Sequence, residues 1–219
     1  MKIHKEGYRI ILFTFLLLCA LAVLVHYVLA KFDYVRYGIY LLDIIVLFFV
    51  VRFFRYPFRT LEEDDNAIYA PADGKIVVIE TLFEKKYLQE DRIQLSIFMS
   101  PMDVHINFHP VSGEVTLYDY FPGDKMVAWH PKSSELNEHS SIVIEDKQKR
   151  KVLVKQIAGA MARRIVCLAK KGNQVKQGEE LGLIKLGSRV DVLLPTNVRL
   201  NVKMHDKVRA KKTVLAYFE

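Results

Sequence analysis

Cysteine is nearly missing from this 219-residue chain; Cys19 and Cys167 are the only two. They make neither a disulfide framework nor a metal-binding pair, and they fit a reducing compartment. No run of histidine, cysteine and carboxylate residues has the spacing of a metal site, so no metal is expected. Also lacking is the interleaving of basic and aromatic side chains that single-stranded nucleic acid requires. No nucleic-acid partner is expected, despite a formal net charge of +7. The positive excess is local. The first sixty residues carry eight Lys and Arg against three acids, Glu6, Asp33 and Asp43, and the basic residues flank apolar segments.

Charge is absent from residues 10–30, IILFTFLLLCALAVLVHYVLA, between Arg9 and Lys31. About 20 apolar residues suffice to cross a bilayer as a helix. A signal peptide would have a shorter apolar core followed by a small-residue cleavage site, and HYVLAKFDY is not one. A second run, YGIYLLDIIVLFFVV at 37–51, is short enough alone for a re-entrant or interfacial helix. Extended through Phe53 and Phe54 it spans, with Arg52 snorkelling. The expectation is a membrane anchor over residues 1–60, a helical hairpin with helices at about 10–30 and 37–54. Asp43 falls near one end of the second run, where pairing with Arg36 or Lys31 accounts for a carboxylate in an apolar helix. Basic residues lie before the first helix and after the second, in RFFRYPFR. The positive-inside rule then places both ends, and all that follows, on the cytoplasmic face of the cell membrane.

From Asn66 onward no long amphipathic helix pattern is seen. KIVVIETL, RIQLSIFMS, GEVTLYDYF, SSIVIED, KVLVKQIAG and RRIVCLAKK are short β-branched or alternating runs, punctuated by Gly, Pro, Asp or Lys. This predicts a mostly β domain over 61–219, of β-sandwich or barrel-sandwich type. VAWHPKSSELNEH is read as a helical turn or a loop. A weak internal echo joins GNQVKQGEELGLI (172–184) to NVKMHDKVRAKKTVLAYF (201–218), which resembles the paired hairpins of biotinyl/lipoyl-type sandwiches. Those domains present a lysine at a hairpin tip, and Val202-Lys203-Met204 matches that setting in part. The competing function is therefore a non-catalytic, membrane-anchored adaptor or carrier with Lys203 modified; an unmodified surface lysine is the plainer reading.

Four stretches remain: PADGKI (71–76), MSPMDVHINFHPVSG (99–113), KSSELNEHS (132–140) and LGSRVD (186–191). Each alone is weak. Pro-Ala-Asp-Gly reads as a turn, and a Gly-Ser pair inside the apolar run KLGSRVDVLLP reads as a bulge. In this order, with the Gly-Ser close to the C-terminus, they resemble the phosphatidylserine decarboxylases, specifically the short membrane-anchored form, over nearly the whole chain. The resemblance implies a proenzyme in which the serine of the Gly-Ser pair attacks the preceding carbonyl. The cut would fall between Gly187 and Ser188, giving a β chain of residues 1–187 and an α chain of 188–219. Ser188 would become a pyruvoyl group and form a Schiff base with the headgroup amine. The implied reaction is decarboxylation of phosphatidylserine to phosphatidylethanolamine, with no metal and no dissociable cofactor. Partners would be the phospholipid, the membrane and the two chains of one heterodimer, with a higher oligomer left open.

These residue types suit the chemistry. Serine is a poor nucleophile at its free pKa and needs a base and fixed geometry. Glycine before it leaves the carbonyl open to close approach. By the resemblance, Asp73 helps activate the nucleophile through a histidine and His105 is the first active-site histidine. Alone, Asp73 reads as a turn residue before Gly74, and His105 as a half-buried strand residue. In the long bacterial form a second histidine lies three residues after the first, where this chain has Phe108. His109 stands next to it, and two readings are open. It shares a strand face with His105, or it is an exposed residue before Pro110. His139 stands where arginine is common in the family. Asn137 and Glu138 either position the headgroup or cap a turn. Lys132, Arg163 and Arg164 are candidate phosphate partners, with solvated surface charge the alternative for each.

Overall fold

In a computed structural model of the chain, residues 2–123, 137–159, 164–185 and 188–219 are described. The chain divides into two units, residues 1–58 and 59–219.

The first unit holds two helices, α1 (Tyr8–Val28) and α2 (Asp33–Phe53), each of 21 residues. At 1.5 Å per residue each is about 30 Å long, the thickness of a bilayer's hydrocarbon core. Both are apolar enough to cross a membrane. Strands β1 (Lys2–Ile3) and β2 (Arg55–Tyr56) pair antiparallel and join the two ends of the hairpin. The second helix begins four residues earlier than expected, at Asp33, whose carboxylate takes the Arg36 guanidinium at 2.5 Å. The expected pairing of Asp43 with Arg36 or Lys31 is therefore not made. Asp43 lies at the middle of α2, more than a helical turn from Arg36, and borders an apolar gap of about 220 Å³ lined by Phe15, Leu18, Tyr40 and Leu47.

The second unit is built of strands, as expected. In chain order they are β3 (Ala67–Tyr69), β4 (Gly74–Glu84), β5 (Glu90–Met99), β6 (Ile106–Phe108), β7 (Gly113–Phe121), β8 (His139–Glu145), β9 (Lys151–Ala158), β10 (Ile165–Cys167), β11 (Gln174–Val175), β12 (Glu180–Ile184), β13 (Ser188–Pro195), β14 (Val198–Leu200), β15 (Lys207–Val208) and β16 (Val214–Phe218). An eight-stranded antiparallel sheet runs β11-β7-β8-β9-β13-β5-β4-β15, and two three-stranded sheets, β10-β12-β6 and β14-β16-β3, complete the domain. Alternation along the strands puts one face of the large sheet into the main core, with Leu95, Ile97, Ile142, Ile144, Val152, Val154, Val190 and Val192 all buried. β13 is central and buried along its length except at Pro195.

KLGSRVDVLLP is not one interrupted strand. β12 ends at Ile184 in a small sheet and β13 begins at Ser188 in the large one. The change of sheet falls between Ile184 and Ser188. VAWHPKSSELNEH falls mainly outside the described residues, as do Lys132, Arg163 and Gly187.

The internal echo extends further than residues 172–218. β12 pairs with β6 through a register shift between Glu180 and Gly182, and β16 pairs with β3 through the same shift between Val214 and Ala216. The Phe108 N–H donates to the Pro71 carbonyl, and the Tyr69 N–H to that of Pro110. β11 and β15 flank opposite ends of the large sheet, at Gly113 and at Gly74. The domain thus has an internal two-fold relation in which Pro-Ala-Asp-Gly (71–74) is matched by Pro-Val-Ser-Gly (110–113), and Ile68 by Asn107. Glycine is needed at both matched positions. A Cβ on Gly74 would stand 2.3 Å from the Phe98 carbonyl oxygen, and one on Gly113 would stand 2.3 Å from that of Glu145. Gly74→Ala and Gly113→Ala are each expected to lower stability by more than ~2 kcal/mol and by similar amounts, as read from urea midpoints. Unequal losses would count against the two-fold relation.

Candidate active site

Ser188 opens the central strand and is fully buried. It is paired with Met99, the last residue of β5, on one side and with Ala158, the last residue of β9, on the other. Its hydroxyl lies 4.0 Å from the Met99 sulfur. By strand alternation its side chain shares the core face with Val190 and Val192. Arg189 and Asp191 lie on the opposite face, where Nε and Oδ1 form a buried ion pair at 2.8 Å.

Both neighbours of Ser188 are held. Asn137 Nδ2 donates to the Ala158 carbonyl at 2.6 Å, and the Glu138 carbonyl accepts from the Ala158 N–H at 2.9 Å. The Glu138 carboxylate is itself occupied, accepting from the Tyr120 hydroxyl at 2.9 Å and the Ile165 N–H at 3.0 Å. Asn137 and Glu138 therefore act as caps on the end of β9. On the other side, the Asp103 carboxylate accepts from both the N–H and the hydroxyl of Ser100, at 2.8 and 2.7 Å, which folds the chain after Met99 into a tight turn.

That turn delivers His105, which is fully buried. Its Nδ1 lies 3.1 Å from the Asp103 carbonyl oxygen. A carbonyl only accepts, so Nδ1 carries a proton in this contact. The His105 carbonyl accepts from the N–H of Ile184, the last residue of β12. His105 thus lies a short turn beyond Met99, the β5 neighbour of Ser188, and is bonded to the last residue of β12.

Asp73 is placed differently. Its carboxylate receives the Arg59 guanidinium through two bonds, at 2.5 and 2.7 Å, and the Ala210 N–H at 2.9 Å. At the matched position, the Ser112 hydroxyl accepts from the Gln177 N–H at 2.9 Å. The bond to Ala210 therefore belongs to the repeated fold, while the partnership with Arg59 is particular to this half. Neither contact is with a histidine.

His109 is buried, not exposed, and its N–H donates to the Glu179 carbonyl. Burial pushes its pKa down to about 4, against a partial upward pull from Glu179. His139 lies on the sheet face away from Ser188, stacked on Phe121 with centroids 5.1 Å apart. Burial lowers its pKa also. Arg164 is exposed and gives its carbonyl to the Lys185 N–H. Lys203 sits in a turn closed by Asp206, and Lys170 occupies the matched turn closed by Asn173, so a lysine at the hairpin tip is a feature of both halves. Among the described residues no group of three or more His, Cys, Asp or Glu side chains is arranged to hold a metal.

Sequence reasoning missed Arg59, Asp103, Asn107, Ser140 and Gln156. Only Gln156 left a visible trace, as the one polar residue among the inward-facing positions of β9, Val152, Val154, Gln156 and Ala158.

The domain is a barrel-sandwich with a buried serine at the head of its central strand and a buried histidine on the turn that follows the neighbouring strand. The family model for phosphatidylserine decarboxylase matches residues 46–216. A protein of Cytophaga hutchinsonii is 44% identical over 218 residues, covering 100% of this chain and 99% of its own. One from Amoebophilus asiaticus is 43% identical over 219 residues, covering 99% and 96%. One from Bacteroides fragilis is 43% identical over 217 residues, covering 98% and 94%. All three are named phosphatidylserine decarboxylase proenzyme. The chain belongs to the phosphatidylserine decarboxylase family, and it is accordingly an enzyme, a decarboxylase.

The His109 shift has a measurable consequence. Its folded pKa lies below the unfolded value of about 6.5, so the folded state holds fewer protons between the two. The stability that a neutral His109 contributes is full above about pH 6.5 and is lost as pH falls towards 4. The loss is about 3 kcal/mol at most. Urea midpoints of the second unit's unfolding, taken from pH 7 to 4, should fall less steeply in His109→Asn than in the parent. Parallel curves would show that His109 titrates normally.

Proposed function

We infer that this chain is a self-processing proenzyme that decarboxylates phosphatidylserine to phosphatidylethanolamine at a group made from Ser188. The observation that carries the reading is the place of Ser188, at the head of a strand paired on both sides, with buried His105 bonded into the turn that follows its neighbour Met99.

Ser188 Oγ adds to the Gly187 carbonyl carbon. The Gly187–Ser188 C–N bond breaks, and the hydroxyl proton passes to the freed Ser188 nitrogen, leaving an ester. Loss of the Ser188 Cα proton then expels the Gly187 carboxylate from Cβ, and water displaces the nitrogen as ammonia. His105 Nε2 is the site suited to taking and returning these protons, because Nδ1 is committed to Asp103.

The surroundings fit a pyruvoyl group at this position. Met99 and Ala158, both buried, flank Ser188 with apolar side chains. Pairing with β5 and β9 holds the new terminus against both neighbours after the cut. When present, a pyruvoyl group supplies a sink for the electron pair left as a carboxylate departs as carbon dioxide.

The two product chains stay together. Residues 188–219 contribute β13 between β5 and β9, β15 against β4 and β16 against β3. A pair of chains woven so closely separates only by unfolding.

The two apolar helices anchor the enzyme at the bilayer that holds its substrate, with the second unit on the cytoplasmic side. Inverted membrane vesicles should expose residues beyond 60 to added protease, whereas intact spheroplasts should protect them. The opposite pattern would reverse the topology.

Denaturing gels with intact-mass measurement test the chemistry. The expected products are two chains, the smaller starting at residue 188 with a blocked N-terminus that lacks the serine nitrogen. Ser188→Ala should remain one chain of 25.4 kDa and release no carbon dioxide from phosphatidylserine. A parent chain that stays intact yet decarboxylates would sink the reading.

A further inference from the structure

The internal two-fold relation sets an expectation for every buried position, and one position near Ser188 departs from it. Ile68 on β3 is a buried apolar core residue. Its match on β6 is Asn107, also fully buried. Burying an amide in place of an isoleucine is unfavourable unless all its bonds are made well.

They are not all made well. The Ser140 hydroxyl meets Gln156 Oε1 at 2.8 Å, and Gln156 Nε2 donates to Asn107 Oδ1 at 2.8 Å. With Oδ1 taken as acceptor, the Asn107 NH₂ must turn the other way. It meets the Met99 sulfur at 3.6 Å, a weak acceptor. The same sulfur receives the Ser188 hydroxyl at 4.0 Å. Ser140, Gln156, Asn107, Met99 and Ser188 are all fully buried. The line crosses from the large sheet to a small one and back, and it ends at the residue on which the self-cleavage reading rests.

We propose that Asn107 is a positioning residue for the self-cleavage at Ser188. Ser140 and Gln156 fix the orientation of its amide. The amide pins the Met99 thioether, and the thioether fixes where the Ser188 hydroxyl rests. A thioether suits this place for two reasons. As a weak acceptor it locates the hydroxyl without tying up its oxygen lone pairs. Once Oγ has left, the same sulfur makes apolar contact with the methyl that remains at Cβ.

This proposal rests on Ser188 being the nucleophile, and the test separates the two. The variant is Asn107→Ile with Gln156→Leu, which replaces both amides by apolar groups and copies Ile68. Ser140→Ala accompanies the pair, so that no buried hydroxyl loses its Gln156 partner; removing all members of a buried bond network leaves stability nearly unchanged. In a Ser188→Ala background, which cannot cleave, the combined variant should keep the thermal midpoint within about 4 °C of the parent. In the Ser188 background the small fragment should appear at least ~10-fold more slowly from freshly synthesised chain, as misplacement of a reacting group implies. Met99→Leu should slow it similarly. Combined with that variant, Met99→Leu should add little further, because all the substitutions act through one contact. Slow cleavage with an unchanged midpoint supports the relay. Cleavage at the parent rate, multiplying effects, or a midpoint lowered by 10 °C or more overturns it and leaves a structural role. A parent chain that never cleaves would instead refute Ser188 as the nucleophile.

Discussion

Pairing of β13 on both sides is the constraint on which the rest of the site depends. A chain that is to be cut and still work must keep the new terminus where the old residue was. An edge strand would fray, since half its backbone groups face water. Ser188 has Met99 on one side and Ala158 on the other, and both neighbours are secured from behind. The Asp103 turn secures Met99, while Asn137 and Glu138 secure Ala158. The position of one serine is over-determined by three strands and two caps. That rigidity suits the self-cleavage inferred above, whose nucleophile and target are adjacent in the chain, where geometry is the main thing the protein can add.

The two-fold relation separates what the fold requires from what the chemistry requires. Gly74 and Gly113 are matched, and both are forced by a carbonyl that would collide with a Cβ. Asp73 and Ser112 are matched, and both accept a backbone N–H from a neighbouring turn. Half of what makes Pro-Ala-Asp-Gly look like a motif is therefore architectural. The unmatched features are the Arg59 guanidinium on Asp73 and the amide of Asn107 in place of Ile68. Asp73 and Arg59 form a two-bonded ion pair, mostly buried on both sides. Removing one member would strand the other charge, which is commonly worse than never having had the pair.

Much of this was legible in the sequence. Alternating β-branched runs and the lack of an amphipathic helix pattern pointed to a β domain after two apolar helices, and the echo of 172–184 in 201–218 pointed to a paired-hairpin sandwich. The echo's other half, PADGKI against PVSGEV, was missed because only the Pro and Gly are identical. The start of α2 was placed late because Asp33 and Arg36 look like turn residues until they pair with each other, and this displaced Asp43 from the end of a helix to its middle. Gly187-Ser188 looked like an interruption because β12 and β13 are both apolar, and composition does not say which sheet a strand joins. Arg59 and Asn107 gave no local signal, and Gln156 only the trace of a polar residue among inward-facing apolar ones. Their roles exist only through partners on other strands and turns.

The two histidines of DVHINFHP show why a motif underdetermines a site. They lie four residues apart and share a residue type, but their surroundings push them to different uses. His109 is buried against the 176–179 turn, and burial holds its pKa near 4. At neutral pH it is uncharged and a weak base, so it is poorly matched to moving protons near pH 7. His105 has its Nδ1 proton fixed on a backbone carbonyl, which leaves Nε2 as the basic nitrogen and sets the plane of the ring. A second histidine is absent at Phe108, whose ring instead lies under the Lys211 ammonium at 5.1 Å. On the side where the resemblance would have a histidine meet Asp73, this chain therefore has an aromatic face, a lysine and the Arg59 guanidinium. Asp73 there holds a cation in place, and among the described residues its carboxylate bonds to Arg59 and the Ala210 N–H and to no imidazole. Under the function inferred above, His105 is the described histidine suited to proton transfer at Ser188, and Asp73 contributes by fixing the turn that carries Ala210.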